Sequence, residues 1–325
     1  MNAPEVFAVI LNHNRWRQAS RCAEALRRVT DVTLDFVIID NASADDSARR
    51  LAERVGASRV IARTDNTGYA GGMNTGLTHW LASCRAPFAL VLTEDMEPAP
   101  GALAELVRVA RADSRAGIVG PVVRYRGQPE RILSAGGSVN TGAARVEQLT
   151  MPDGLEPYAV DWIDGCCMLL RRELVEQIGG FDERYFIYYE ENDLCQRART
   201  AGWRVLVAPA ASASHERPPV QSANYFYLMA RNRFLFWRKN YDRSSARVFA
   251  GLMAETGRMA AWAGAGLLRP REWGDVPRRM TSLQRQVRGV ALGTRDHLRG
   301  RYGRPHGQLT ATTARQPRDA DYSPR

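Results

Sequence analysis

Continuous apolar runs alternate with segments of helical spacing over the first two-thirds of the chain. The apolar runs cover residues 6–11, 34–39, 59–62, 88–92, 166–170 and 203–207. An apolar run without polar alternation is typical of a strand that is buried on both faces of a sheet. Helical spacing is found in residues 15–28, in segments that end at residues 55 and 81, and in residues 171–178 and 190–201. The pattern therefore predicts βαβ units and an α/β fold with a mainly parallel central sheet flanked by helices.

The alternation ends near residue 216, where Arg217-Pro218-Pro219 interrupts the chain. Helical composition returns afterwards, but from residue 300 onward Gly, Pro, Thr and Arg predominate and leave little to bury. The helical segments cover residues 224–241, 245–263 and 281–299. We therefore expect three parts: an α/β domain at residues 1–216, a basic helical C-terminal region at 217–300 and a disordered tail at 301–325.

The net charge of +10 is distributed unevenly along the 325 residues. Residues 217–325 contain 21 basic and 7 acidic side chains, whereas residues 1–216 contain 24 basic and 28 acidic ones. Such asymmetry favours contact with anionic lipid, a polyanionic acceptor or nucleic acid. The alternative is a compositional preference for arginine, since Lys239 is the only lysine. In that case the helices cover the core and form a homodimer.

No apolar stretch reaches the ~18 residues that a membrane-spanning helix needs, and the chain does not begin with a signal-peptide pattern. The five cysteines show neither a CxxC pair nor zinc-ligand spacing. Cys166, Cys167 and Cys195 lie among apolar residues and are expected to pack as small hydrophobic side chains. These features predict a cytoplasmic protein, with peripheral contact at the inner face of the membrane as an additional expectation.

An acidic cluster, Glu94-Asp95-Met96-Glu97, follows the apolar run 88–92. Ligands of open α/β sheets bind at the carboxyl ends of the strands. Three acids that crowd one strand end repel each other, so a cation or hydroxyl donors would offset their charge. Hard oxygen ligands favour Mg²⁺ or Mn²⁺. The alternative is a solvated loop that caps the following helix.

His215 follows the last apolar run and is a candidate additional metal ligand. An imidazole beside carboxylates would shift the preference towards Mn²⁺. The alternative is an ordinary polar loop residue.

A second acidic cluster lies in residues 179–197 and surrounds a run of aromatic residues. Its acids are Asp182, Glu190, Glu191 and Asp193, and its aromatic residues are Tyr185, Phe186, Tyr188 and Tyr189. A carboxylate here could deprotonate an acceptor hydroxyl. The aromatic run could be part of the core or a wall on which a sugar stacks.

Two further segments are candidates for ligand binding. Asp40 ends the run 34–39 and could accept hydrogen bonds from a nucleobase or ribose; its alternative role is a helix cap, which Ser43 or Asp45 could also supply. Residues 66–74 contain three glycines, which allow close approach of a ligand and positive φ angles. The alternative is a tight entrance to the helix that ends at residue 81.

These blocks, in this order, resemble the family 2 glycosyltransferases, especially bacterial rhamnosyltransferase-like and galactofuranosyltransferase-like members. The matching segments are residues 9–15, 38–43, 66–74, 92–95, 161–169 and 179–197. The resemblance covers residues 5 to 240 and implies a GT-A fold, which is Rossmann-like. It also implies inverting transfer from a nucleoside-diphosphate sugar, such as dTDP-rhamnose or another NDP-hexose. The acceptor would be a glycan, a lipid-linked saccharide or a small molecule.

The resemblance also implies roles for individual residues. By analogy Asp40 contacts the base, Glu94 the ribose, and Asp95 a divalent cation, Mn²⁺ or Mg²⁺, on the diphosphate. Glu191 stands at the position of the general base, but it replaces an Asp there, which leaves Glu190 as the alternative base. Thr93 replaces the first acid of the family's Asp-x-Asp motif.

The resulting candidate sets are as follows. The donor-binding candidates are Asn12, Asp40, Asn41, Asn66, Gly71, Asn74, Glu94 and Asp95. The acceptor-binding candidates are Trp162, Asp164 and Tyr188. The metal-ligand candidates are Asp95, Glu97 and His215.

Two other functions compete with glycosyl transfer. A nucleotidyltransferase would share the fold and the acidic metal site, with Arg15 and Arg17 on a triphosphate, but it would leave Glu190 and Glu191 unexplained. A nucleic-acid-binding protein would use the aromatic residues that alternate with arginines in residues 225–238. Helical spacing places many of those aromatics on one packed face, so we expect no nucleic-acid partner.

Overall fold

The computed structural model describes residues 4–216, 221–265 and 275–305. The strands are β1 (Val6–Asn12), β2 (Leu34–Asp40), β3 (Val60–Ala62), β4 (Phe88–Thr93), β5 (Glu97–Pro98), β6 (Ala116–Tyr125), β7 (Gln128–Ser134), β8 (Gly137–Asn140), β9 (Arg145–Gln148), β10 (Tyr158–Ala159), β11 (Cys167–Arg171) and β12 (Arg204–His215). The helices are α1 (Trp16–Arg27), α2 (Ser47–Val55), α3 (Gly68–Ser83), α4 (Ala102–Ala112), α5 (Arg172–Ile178), α6 (Glu190–Thr200), α7 (Ala223–Tyr241), α8 (Ser245–Ala265) and α9 (Val276–Leu298).

The central sheet has the strand order β10-β12-β6-β11-β4-β1-β2-β3, and β5 and β7 pair with β12 and β6 respectively. β1 is parallel to β2 and β4, β2 is parallel to β3, and β6 is parallel to β12. β11 is antiparallel to both of its neighbours, β4 and β6. The predicted α/β fold with a mainly parallel sheet and flanking helices is confirmed.

The first strand shows why the predicted runs are continuous and not alternating. Val6, Ala8 and Ile10 belong to the apolar core on one face of the sheet. Phe7 and Val9 belong to the core on the other face. A strand covered on both faces needs an apolar side chain at every position.

The glycines of residues 66–74 lie at the start of a helix, which agrees with the alternative of a tight helix entrance. α3 begins at Gly68, which has a positive φ of 73°. The later glycines of α3 allow close packing: a Cβ at Gly72 would lie 2.4 Å from Leu11 Cδ1, and one at Gly76 would lie 2.1 Å from Val9 Cγ1. The close approach of α3 to β1 therefore outweighs the low helix propensity of glycine.

The start of α2 also differs from the prediction. Ser43 does not cap the helix, because α2 begins at Ser47 and the Ser43 hydroxyl donates to Asp40 Oδ2 at 2.6 Å. Asp45, the other predicted cap, accepts a hydrogen bond from the Ser47 N–H at 2.9 Å. Ser43 is thus used to hold the end of β2.

The C-terminal helices share a third apolar core with the segment that precedes α6. Tyr185 and Tyr189 pack there against aromatic residues of α7, including Phe234, Phe236 and Trp237, all of which are buried. Because these α7 rings lie in the core, they cannot form the stacking surface that a nucleic-acid-binding protein would need. α9 begins at Val276, five residues before the predicted start at residue 281, with a proline in its first turn.

The predicted domain boundary falls between β12 and α7, and residues 217–220 lie outside the described residues. Most of the predicted disordered tail, residues 306–325, also lies outside them. At the start of that tail, the Gly303 N–H donates to the Arg184 carbonyl oxygen at 2.7 Å.

Every helix in the described part of the chain is too short or too polar to cross a lipid bilayer. Cys166, Cys167 and Cys195 are buried free thiols, as predicted.

The contact between α3 and β1 generates a first prediction. Gly76→Ala should lower the free energy of unfolding by about 1–3 kcal/mol, because the new methyl group overlaps Val9 in a filled core. Urea denaturation measures this change. Gly257→Ala in α8 is the matched control: a Cβ there has no atom within 4 Å, so the variant should be as stable as the wild type or slightly more so. Equal stability of Gly76→Ala and wild type would contradict the packing described here.

Candidate active site

Two acidic segments meet at one edge of the sheet because β11 runs antiparallel to β4. The segment that leads into β11 therefore lies beside the carboxyl end of β4, and the Thr93 N–H donates to the Cys166 carbonyl oxygen at 3.1 Å. Glu94 and Asp95 follow Thr93 directly. The acids at the end of β4 thus become neighbours of Asp164 and of the residues after it.

Glu190 and Glu191 form the first turn of α6 and pack against the same segment. A Cβ added at Gly165 would lie 3.3 Å from the Glu191 Cβ, so the backbone of this segment packs closely on α6. Tyr69 of α3 donates its hydroxyl hydrogen to the Gly165 carbonyl oxygen. The start of α3, the segment before β11 and the start of α6 therefore converge.

Burial raises the pKa values of both of these glutamates. Burial, followed by the charge of Asp164, raises the pKa of Glu191 to about 8. Burial, followed by the charge of Glu191, raises the pKa of Glu190 well above its ordinary value. Glu190 is only 3% exposed, whereas Glu191 is partly exposed. A carboxylate with a raised pKa and an accessible edge can accept a proton from a hydroxyl near neutral pH.

The loop before α6 is held in a strained conformation. Phe186, Tyr188 and Tyr189 have positive φ angles of 68°, 73° and 74°, which cost roughly 1–3 kcal/mol each for residues other than glycine. The buried amide of Asn232 in α7 offsets part of this cost, because its Nδ2 lies 2.8–2.9 Å from the carbonyl oxygens of three residues of the loop. α7 therefore fixes the direction in which α6 presents its two glutamates.

Asp95 is the centre of the other charged group. Its Oδ2 lies 3.2 Å from Arg15 Nη1, and its Oδ1 accepts a hydrogen bond from the Thr93 hydroxyl at 3.0 Å. His215 Nε2 lies 3.4 Å from the same Oδ1. Arg15 Nη1 also lies 3.2 Å from Glu94 Oε1. Burial, and then the charge of Asp95, raises the pKa of Glu94 to about 7.

The predicted three-residue metal site is not preformed. Glu97 Oε1 lies 3.5 Å from Arg126 Nη2, so these two side chains form an ion pair. Within residues 4–216, 221–265 and 275–305, no three acidic, histidine or cysteine side chains are arranged to hold a metal ion. The role of Glu97 as a metal ligand stays a prediction. Asp95 and His215 do face each other, and two protein ligands suit a divalent cation that takes its other ligands from phosphate oxygens and water.

The ends of β1 and β2 are joined by hydrogen bonds that bury Asp40. Asn12 Nδ2 donates to Asp40 Oδ2 at 2.7 Å, and the Ser43 N–H donates to Asp40 Oδ1 at 3.0 Å. Asp40 is only 2% exposed. Both of its oxygens therefore have protein partners, and its contact with a nucleobase stays a prediction.

Asn41 and Asn66 shape the loop between β3 and α3. Asn41 Nδ2 donates to the Gly68 carbonyl oxygen at 2.8 Å and to Asn66 Oδ1 at 3.2 Å. Asn66 Oδ1 also accepts a hydrogen bond from the Gly68 N–H at 2.8 Å. His13 lies between these strand ends, with Nδ1 3.1 Å from the Asn41 carbonyl oxygen. These residues form one hydrogen-bonded group at the carboxyl edge of the sheet.

Two donor-binding candidates on α3 make structural contacts; Gly71 is buried, and Asn74 is partly exposed. A Cβ at Gly71 would lie 2.5 Å from the side chain of Thr67, the residue before α3, so Thr67 covers this position. Asn74 Nδ2 donates to the Phe181 carbonyl oxygen at 2.9 Å, and its Oδ1 accepts from the Phe181 N–H at 2.8 Å. These two hydrogen bonds hold the acidic segment 179–197 against α3 at Phe181.

The three acceptor-binding candidates lie in different environments. Trp162 is only 6% exposed and donates its Nε1–H to the Ser138 carbonyl oxygen at 3.3 Å. Asp164 is partly exposed and accepts a hydrogen bond from the Cys166 N–H at 3.1 Å. Tyr188 is also partly exposed, at the mouth of the same region. Asp164 and Tyr188 thus have surface available for a ligand, and Trp162 has little.

Several residues of the site were not predicted as such. Arg15 forms an ion pair with Glu94, and Arg126 forms one with Glu97. Both arginines also pair with Glu216. Arg15 is the last residue of the matched segment 9–15, which is a sequence signal. Asn232 carries no such signal, since it lies in an aromatic helix far along the chain.

Comparison with known proteins identifies the family. The family model "Glycosyltransferase like family 2" matches residues 4–234. The Mycobacterium tuberculosis N-acetylglucosaminyl-diphospho-decaprenol L-rhamnosyltransferase is 27% identical over 220 residues, which are 61% of this chain and 71% of that protein.

Two solved structures have a similar fold. The mannosyltransferase PcManGT from Pyrobaculum calidifontis, in complex with GDP-Man and Mn²⁺, matches with a TM-score of 0.57 and 16% identity over 92% of this chain and 88% of its own. GalNAc-T7 with UDP, GalNAc and Mn²⁺ matches with a TM-score of 0.56 and 17% identity. That match covers 70% of this chain and 48% of GalNAc-T7. The chain therefore belongs to the glycosyltransferase-like family 2, and it is a glycosyltransferase with the predicted GT-A fold.

Proposed function

We propose that this enzyme transfers a hexose, with L-rhamnose from dTDP-rhamnose as the first candidate, to a hydroxyl group of a lipid-linked glycan with inversion at the anomeric carbon. The observation that carries the proposal is the meeting of two different acidic groups at one edge of the sheet. The acids around Asp95 form ion pairs with arginines, whereas Glu190 and Glu191 form none within the described residues and have pKa values raised by burial. The name of the mycobacterial relative supports the choice of sugar and acceptor.

The chain's own groups suggest how one displacement would proceed. The acceptor oxygen attacks the anomeric carbon as the bond from that carbon to the diphosphate oxygen breaks, and the leaving diphosphate takes the electron pair. Glu191 accepts the proton of the acceptor hydroxyl. Because attack and departure occur on opposite sides of the carbon, configuration inverts without a covalent enzyme intermediate.

Asp95 and His215 would hold a divalent cation, Mn²⁺ or Mg²⁺, and that cation would stabilise negative charge on the diphosphate. The Mn²⁺ in the two similar solved structures supports a divalent cation. Arg15 lies against Asp95 and Glu94 and places a further positive charge beside the same position.

The location and assembly of the protein stay predictions from its composition. The excess of arginine after residue 216 remains the reason to expect contact with the anionic inner face of the membrane. A homodimer and a cytoplasmic location likewise rest on the sequence.

A metal-dependence prediction follows from Asp95. Asp95→Asn keeps the size of the side chain and removes its charge, so transfer should fall by about 10²-fold or more, and Mn²⁺ binding in the presence of a nucleoside diphosphate should weaken by about tenfold or more. Calorimetry and a transfer assay measure the two effects. Glu97→Gln is the matched control, because Glu97 pairs with Arg126, and it should retain Mn²⁺ binding. Undiminished wild-type turnover in EDTA would refute metal dependence.

The identity of the base is tested by a pair of amide substitutions. Glu191→Gln removes proton acceptance at the same size, so kcat should fall by roughly 10²–10⁴ with little change in the KM for the donor. Glu190→Gln is the comparison. If Glu190→Gln shows this loss and Glu191→Gln does not, Glu190 is the base.

The raised pKa of Glu191 predicts a pH dependence of activity. Since a base must be unprotonated, kcat/KM should rise through a pKa of about 8, by about tenfold between pH 7 and pH 9. The residual activity of Glu191→Gln should lack this rise. A flat wild-type profile over that range would exclude Glu191 as the titrating base.

Stability gives a readout of the same pKa that does not need activity. Folding raises the pKa of Glu191 from an ordinary value of 4.5 to about 8, so the folded state binds this proton more tightly than the unfolded state does. The proton therefore stabilises the folded state most at low pH, and this stabilisation is lost as pH rises through about 8. The Tm of the wild type relative to Glu191→Gln should therefore fall between about pH 5 and about pH 8.

A further inference from the structure

Five successive carbonyl oxygens in the loop before α6, those of residues 184–188, accept hydrogen bonds from other parts of the chain. Asn232 of α7 donates to three of them, and the Ala70 N–H of α3 donates to a fourth at 3.2 Å. The remaining one belongs to Arg184 and accepts from the Gly303 N–H at 2.7 Å. Gly303 follows α9 and lies far beyond the family match, which ends at residue 234. The loop that leads to the candidate base is therefore held in part by a residue that the family does not share.

Gly303 has a second contact with the same loop, through the side chain of Arg231 in α7. Arg231 Nη1 donates to the Gly303 carbonyl oxygen at 2.8 Å, and its Nη2 donates to the Tyr185 carbonyl oxygen at 2.9 Å. Its Nε donates to Asn232 Oδ1 at 3.0 Å. One guanidinium thus joins the segment after α9 to the loop before α6 and to the asparagine that holds this loop.

The burial of Arg231 makes these contacts depend on each other. Arg231 is only 1% exposed and forms no ion pair with a carboxylate within the described residues. Apart from the contacts above, its only side-chain partner there is the Tyr227 hydroxyl, at the longer distance of 3.4 Å. A buried charged group that loses an acceptor pays a large desolvation cost. If Gly303 moved away, Arg231 would shift to regain an acceptor, and its hydrogen bond to Tyr185 would weaken.

The segment after α9 is anchored independently of the loop. Gly300 and Gly303 have positive φ angles of 64° and 78°, which turn the chain back after the end of the helix. The Arg301 N–H donates to the Asp296 carbonyl oxygen at 2.8 Å. Tyr302 packs against the third apolar core, with its hydroxyl 2.5 Å from Nδ1 of a histidine in the last turn of α9. The segment therefore has a fixed position from which it can hold the loop.

We propose that Arg231 and Gly303 are positioning residues for the candidate base: together they hold the loop before α6 in the conformation that directs Glu191 towards the acceptor hydroxyl. The proposal rests on the role of Glu191 in the transfer proposed above. It gives the segment after α9 a part in turnover, although this segment lies outside the family match.

Gly303→Pro in the full-length chain tests the contact between the segment and the loop. Proline removes the N–H that binds Arg184 and excludes a φ of 78°. We expect kcat to fall by about tenfold with the KM for the donor unchanged, because a displaced base slows the reaction without affecting donor binding. In hydrogen–deuterium exchange, the amides of residues 185–191 should exchange faster than in the wild type, whereas those of β1 and β4 should not change.

Arg304→Ala is the matched control for this variant. It changes the exposed side chain of the next residue and leaves the contacts of Gly303 in place, so kcat and amide exchange should equal those of the wild type.

A double-mutant cycle tests whether the two residues act through one contact. Arg231→Lys keeps the positive charge but lacks the planar fork that reaches Gly303 and Tyr185 together. Alone it should lower kcat by about tenfold. Combined with Gly303→Pro it should add less than about a further twofold loss, because the shared contact is already broken. If Arg231→Lys does not fold, the kinetics and exchange of Gly303→Pro decide the proposal.

Three results would overturn the proposal: a wild-type kcat in Gly303→Pro, a loss that appears only in the KM for the donor, or a combined loss equal to the product of the two single losses. Failure of the proposed function gives a different result. If Glu191→Gln retains the wild-type kcat, Glu191 is not the base. Amide exchange of residues 185–191 in Gly303→Pro then still shows whether Gly303 holds the loop.

Discussion

The antiparallel placement of β11 between β4 and β6 is the constraint on which the candidate active site depends. In a purely parallel sheet, a strand beside β4 would begin at the opposite edge. Because β11 is reversed, its first residues lie at the carboxyl end of β4, and Asp164 and Gly165 come next to Glu94 and Asp95. α6 then packs on Gly165 and brings Glu191 to the same edge.

The two acidic groups at this edge differ in their ion pairs. Arg15 and Arg126 pair with the acids at the end of β4 and offset part of their negative charge. No lysine, arginine or histidine in the described part of the chain forms an ion pair with Glu190 or Glu191. No ion-paired cation therefore offsets the effect of burial, which raises the pKa values of both glutamates. One group suits a charged diphosphate, and the other suits proton transfer.

The C-terminal helices support the catalytic domain. Asn232 bonds to the strained loop before α6, and Arg231 Nη2 donates to the Tyr185 carbonyl oxygen at 2.9 Å. Asn232 lies within the family match, which ends at residue 234, whereas α8 and α9 lie beyond it. The contact that holds the loop before the candidate base therefore belongs to the shared part of the chain.

The sequence by itself determined the sheet and the family, because each depends on local patterns. Continuous apolar runs such as residues 6–11 predict strands covered on both faces, and the acids after residue 93 mark a strand end. The use of Ser43 as a helix cap was predicted wrongly, because its hydroxyl bonds to Asp40, three residues earlier. The close packing of Gly76 on Val9 could not be predicted, because these two residues are far apart in the sequence.

Only the tertiary structure decided which acids are paired and which are not. Arg15 and Asp95 are 80 residues apart, and Asn232 is more than 40 residues from the carbonyl groups it binds. Glu97 was predicted as a metal ligand from its place beside Asp95, and only the structure shows that Arg126, which follows β6, lies 3.5 Å from it. Burial and charge pairing depend on distance in space, and a sequence pattern contains only distance along the chain.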